Sequence, residues 1–103
     1  MHEKMRAAQA QLTKLLEADD LTAGMYVRAR GDHLIVGRQE RVGRHGDLED
    51  SDRVRFTRLS ANSYGLSVMR HTGRWERTPF SGRMEEMVLR VRELMQHLVA
   101  PYP

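Results

Sequence analysis

Apolar residues recur along this chain with two different periods, and the change between them divides it into helix, strands and helix. Over residues 3–17, Met5, Ala8, Leu12 and Leu15 follow one another at spacings of three and four, with Leu16 widening the stripe. Glu3, Lys4, Gln9, Gln11 and Lys14 cover the other side. This is the signature of an amphipathic helix, which Asp19, Asp20 and Gly24 are expected to end.

From residue 25 the period becomes two. Residues 25–39 predict a hairpin in which Gly31 and Asp32 form a two-residue turn. The register then sets Ala29 opposite Leu34 and Val27 opposite Val36, leaving Tyr26, Arg28 and Arg30 on the other face. Residues 40–52 read as a long polar loop, basic at first and then acidic. A strand over 53–59 places Val54 and Phe56 on one side and Arg53, Arg55 and Thr57 on the other. After the turn residues Ser60–Ser63, a strand over 64–70 groups Tyr64, Leu66 and Val68. Thr72 and Gly73 turn the chain into a last strand, Arg74 to Thr78, which Pro79 ends because it has no N–H to donate. Loops of two or three residues both fit this final turn, and the choice changes the partner of Trp75.

Helical spacing then returns through Met84, Val88, Val91, Met95 and Leu98, flanked by Met87 and Leu94. Ser81 or Gly82 is expected to cap this helix, with Glu85 and Glu86 in its first turn, where the helix dipole favours anions. The order implies a single α+β domain over residues 1–103. It consists of an N-terminal helix, about five antiparallel strands forming one twisted sheet, and a C-terminal amphipathic helix packed on that sheet.

Composition narrows the chemistry. The 103 residues include no cysteine, which excludes disulfides, thiolate metal sites and cysteine nucleophiles. No apolar run approaches the roughly 20 residues that span a bilayer, and the first residues lack the apolar segment of a secretory signal, so a cytoplasmic protein is expected. The histidines (His2, His33, His45, His71 and His97) are scattered and show no metal-binding spacing. Nucleophile elbows and phosphate-binding glycine loops are also missing. The expectation is a non-enzymatic protein without cofactor or metal, the one exception being a site assembled across strands around His71 and a carboxylate.

Charge points to a surface. The net charge is +3, but residues 25–78 carry +4 while residues 1–24 sum to −1 and residues 79–103 to zero. Lys4 and Lys14 are the only lysines among 17 basic residues, so the cations are overwhelmingly arginine, whose planar fork suits phosphate, carboxylate and aromatic faces. Arg28, Arg30, Arg53 and Arg55 alternate outward on the predicted strands, Arg74 and Arg77 flank Trp75, and Tyr26 and Tyr64 share those strands. Arginines with interleaved aromatic rings are the chemistry of single-strand nucleic-acid binding. A structural use is equally concrete: arginines on a solvated face paired with Glu40, Asp52 or Glu76, and Trp75 under a helix. The leading expectation is a small binding or interaction module that self-associates as a homodimer through its apolar helical stripes and adaptable methionines. The alternative is a single-strand nucleic-acid-binding protein using Arg28, Arg30, Arg53, Arg55, Tyr64, Arg74, Trp75 and Arg77.

Overall fold

A computed structural model describes residues 2–94 and 96–99. The elements run α1 (His2–Glu17), β1 (Tyr26–Arg30), β2 (His33–Val42), β3 (Asp47–Ser60), β4 (Ser63–Met69), β5 (Trp75–Gly82), α2 (Met84–Leu94) and α3 (Gln96–Val99). The five strands form one antiparallel meander in the order β1-β2-β3-β4-β5. This is the α+β architecture that the two hydrophobic periods imply.

Both helical stripes lie on the same side of the sheet. Met5, Ala8, Leu12 and Leu16 of α1, with Met84, Met87, Val88 and Val91 of α2, bury themselves against Val27, Leu34, Val36, Val54, Phe56, Tyr64, Leu66 and Val68. Met95 and the side chain of Leu98 lie outside the described residues. The stripes expected to mediate dimerisation are therefore used, as far as they are described, within the one chain. The first hairpin has the expected register, Val27 with Val36 and Ala29 with Leu34, and Gly31 takes the positive φ of 60° that its turn needs.

Four local expectations are corrected. Residues 40–52 are not a loop: β2 and β3 continue as a two-stranded ribbon, with Val42 paired to Asp47 around a turn at residues 43–46. The ribbon is largely polar on both faces because most of it is solvated, so it carries no apolar alternation to read. Pro79 does not end the last strand, which runs on to Gly82. Gly65 pairs with Ser81 and Ser67 with Arg77, so two steps along β4 face four along β5, and Pro79 sits in this bulge on an edge strand. Thr78 repairs the ladder there: its hydroxyl donates to Leu66 O at 2.8 Å and accepts from the Phe80 N–H at 3.2 Å. The cap of α2 is Arg83 rather than Ser81 or Gly82, because the Glu86 carboxylate accepts the Arg83 N–H at 2.9 Å, the reciprocal half of a capping box. The fourth correction concerns Arg53. Val36 pairs with Val54 but Gly37 with Asp52, leaving Arg53 as the extra residue of a bulge. Its guanidinium meets Glu40 at 2.5 Å and Ser51 Oγ at 3.1 Å and is buried, instead of pointing outward beside Arg55.

The ends of the chain are tied together at the C-terminus of α1. Thr22, fully buried, donates its hydroxyl to Leu16 O at 2.7 Å. Arg92, from α2, donates to Leu15 O and approaches Asp19 at 3.9 Å. A cation and a buried hydroxyl thus add donors to carbonyls that otherwise hold only the long turn bonds from the Ala18 and Asp19 N–H groups, at 3.3 and 3.4 Å.

One glycine is sterically obligatory. Tyr26, Gly37 and Asp52 occupy one line across β1, β2 and β3, and the Tyr26 hydroxyl donates to Asp52 Oδ1 over the bare Gly37 backbone. A Cβ on Gly37 would collide with the Ser51 carbonyl and the Tyr26 hydroxyl. Gly37→Ala is expected to cost at least about 1–3 kcal/mol in urea unfolding, because backbone rather than a flexible side chain must yield. Gly65→Ala, whose methyl would meet the flexible Leu59 side chain first, at an ordinary contact distance of 3.5 Å, is expected to leave the midpoint unchanged or raise it.

Candidate ligand-binding face of the sheet

With both helices on one side, period-two alternation leaves every second strand residue on the other. The register aligns these residues in transverse rows. One row reads Arg28, Ile35, Arg55, Ser67, Arg77 across the five strands. The next reads Arg30, His33, Thr57, Gly65, Ser81. Trp75, paired with Met69, stands one step along β5 from Arg77's row and on the same face. Between β4 and β5, three residues, His71 to Gly73, form a turn bracketed by Arg70 and Arg74 and closed by the Arg70 N–H donating to Arg74 O at 2.9 Å. This is the longer of the two predicted turns.

Five of the eight candidate residues come together on this face: Arg28, Arg30, Arg55, Trp75 and Arg77. Three do not. Arg53 is turned away by its bulge, Tyr64 is buried in the core beneath the helices, and Arg74 is exposed in the turn before β5. Of the five, Arg28 is engaged at the margin, 2.7 Å from Asp52 and 3.7 Å from Asp50. Among the described residues, Arg30, Arg55 and Arg77 form no ion pair.

Arg55 is the centre of the site. Its guanidinium lies 4.9 Å from the Trp75 ring centroid, a cation–π contact that fixes both side chains. Its Nε is buried without a hydrogen-bond partner among the described residues. Burial, and then the positive charge of Arg77, hold Arg55 below the ordinary arginine pKa. His33 is lowered as well, first by burial and then by Arg55, with Asp32 opposing. Its Nδ1 shares a 2.9 Å hydrogen bond with Thr57 Oγ1. Arg55 thus disfavours positive charge on His33 and is itself disfavoured by Arg77, and an anion placed among the three would relieve them all.

The patch is concave. A cavity of about 220 Å³ opens between β2 and β5, lined by His33, Arg55, Thr57, Ser67, Arg77 and Ser81 among others. Two backbone features create it. The bulge at Thr78–Phe80 interrupts the β4–β5 ladder between Ser67–Arg77 and Gly65–Ser81, and Gly65 puts no side chain on the floor between them. Sequence reasoning missed His33, Thr57, Ser67 and Ser81 as site residues. His33 was reachable, since the predicted hairpin already paired it with Arg30; the hydroxyls required the cross-strand register. Elsewhere, His71 is exposed and shares a surface depression of about 380 Å³ with Asp52, Arg53 and His97, where the Asp52 carboxylate is already taken by Tyr26 and Arg28. Among the described residues no cluster of His, Asp and Glu is arranged to hold a metal ion, and no helix is long and apolar enough to cross a membrane.

The chain matches no protein-family model, no curated protein and no solved structure. The chemistry of the site itself therefore carries the functional reading.

His33 gives that chemistry a pH signature. Its folded pKa is depressed, so below about pH 6.5 the unfolded chain takes up a proton that the folded one resists. The stability contributed by neutral His33 is present above that pH and is lost as pH falls through the folded pKa. His33→Gln is expected to flatten the fall in thermal midpoint between about pH 7 and pH 5; an unchanged slope would mean that other groups set it.

Proposed function

We propose that the protein is a non-enzymatic binding module of the cytoplasm that receives single-stranded nucleic acid on the uncovered face of its sheet, without metal or cofactor. The observation that carries this reading is the convergence of Arg55, Arg77 and His33 around a small cavity beside Trp75, with Arg30 on the adjoining row and, among the described residues, no carboxylate paired to either Arg55 or Arg77. Arginine forks bind phosphate oxygens in two-pronged fashion, and an indole beside that track offers a surface for a base. The antiparallel face sets Arg28, Arg55 and Arg77 on alternate strands, roughly two strand spacings of about 4.8 Å apart, so a flexible strand can adjust to them where a rigid duplex could not.

Trp75 is the only tryptophan, and its fluorescence reports directly on this face. Titration with a short unstructured oligonucleotide is expected to perturb that signal, with affinity falling as salt rises by roughly 0.7 in logarithmic slope per phosphate neutralised. Arg55→Ala and Arg77→Ala should each weaken binding and reduce the slope. Absence of binding at low salt, or binding indifferent to salt, would refute the reading.

A second reading, self-association as a homodimer, has its own support in the β2–β3 ribbon. Residues 38–42 and 47–51 pair only with each other among the described strands, and Val42 and Leu48 are exposed on them. Open strand edges beside apolar side chains invite pairing with a second copy. Light scattering is expected to return twice the chain mass, and Leu48→Lys to return a monomer; a monomer in the unaltered protein ends this reading.

A further inference from the structure

The cavity at the β5 bulge is too small for a nucleotide and too strongly charged for a passing diester, and this mismatch says which part of a strand belongs in it. Pockets that enclose whole small-molecule ligands run from roughly 300 to 1,000 Å³; this one holds about 220 Å³. A single tetrahedral group fits, with the rest of its molecule remaining on the open face. Arg55 and Arg77 line the cavity with His33, whose depressed basicity a neighbouring anion would restore. Thr57, Ser67 and Ser81 add hydroxyls around the same space. A phosphodiester brings one negative charge and two free oxygens. A phosphomonoester brings nearly two charges at pH 7 and three acceptor oxygens, which matches two arginine forks, a histidine and a ring of hydroxyls better than a diester does.

We infer that this cavity is a subsite for a terminal phosphate, so that the protein holds a nucleic-acid strand by its phosphorylated end. The inference rests on the single-strand reading and deepens it. Row geometry supplies the path of the remaining chain: from the cavity the strand leaves past Trp75 at one side or past Arg30 at the other, both on the same face.

The test compares one short sequence carrying a 5′-phosphate, a 3′-phosphate or no terminal phosphate, each titrated against Trp75 fluorescence at constant salt. One of the two phosphorylated strands is expected to bind roughly tenfold or more tightly than the unphosphorylated one, the gain of charge-assisted hydrogen bonds to a partly buried site. Inorganic phosphate at millimolar concentration should erase that ratio and leave the weaker affinity in place. Arg77→Gln, at an exposed position, and Gly65→Ala, which places a methyl on the cavity floor, should both bring the ratio to about one while the protein stays folded. Equal affinity for all three strands would overturn the end-phosphate inference and leave single-strand binding standing. Binding of a phosphoserine peptide with no binding of any strand would overturn both. A phosphate preference that survives Arg77→Gln and Gly65→Ala together would overturn the assignment of the subsite to this cavity.

Discussion

Side chains of a β-strand alternate between faces, and in β3 this alternation is enforced from below. Val54 and Phe56 are essentially inaccessible under α1 and α2, which leaves Arg55 and Thr57 no choice but the opposite face. Because β3 is the central strand, with two neighbours on each side, its register propagates outward to Arg28 and Arg30 at one edge and to Arg77 and Ser81 at the other. The site and the core are the two sides of one constraint: the residues that make the sheet stable also aim the residues that make it cationic.

Two interruptions of the ladder shape what that constraint produces. The bulge at Arg53 removes one arginine from the face and directs it to Glu40 and Ser51 at the base of the hairpin ribbon. The bulge at Thr78–Phe80 does the reverse, opening a cavity where a continuous ladder would have closed one, with the Thr78 hydroxyl supplying a link to Leu66. Such irregularities cost ladder hydrogen bonds and are commonest where a strand must redirect a side chain. Here each redirects a charged or polar group toward or away from the same patch.

Much of this fold was legible in the chain. Period-three-and-four spacing placed both helices, and period two with Gly31-Asp32 placed the turn and register of the first hairpin, because in each case a buried face imposes its period on the sequence. Where burial on one face is absent the signal is absent too, which is why the ribbon over residues 40–52 read as a loop. Bulges were also hidden: an extra residue leaves the spelling of a strand almost unchanged while breaking the strict alternation of its faces, so Arg53 and Arg55 looked equivalent. Tyr64 illustrates a different limit, since its apolar companions Leu66 and Val68 placed it in the core while its ring made it a binding candidate, and the core prevailed. The cavity could not be read at all, because Ser67, Ser81 and Thr57 are brought together only by pairings between strands.

The contact between Arg92 and the end of α1 bears on the order in which the molecule can assemble. Every strand pairs with its immediate successor, so the sheet can zip up through short loops as the chain emerges, each closure costing little entropy. The Leu15 carbonyl accepts early from the nearby Ala18 N–H at 3.3 Å, but its second donor must wait until residue 92 has been made. The end of the first helix thus gains its last donor from the far side of the sequence, and the arginine that supplies it serves as a latch joining α1 to α2 in an otherwise local fold.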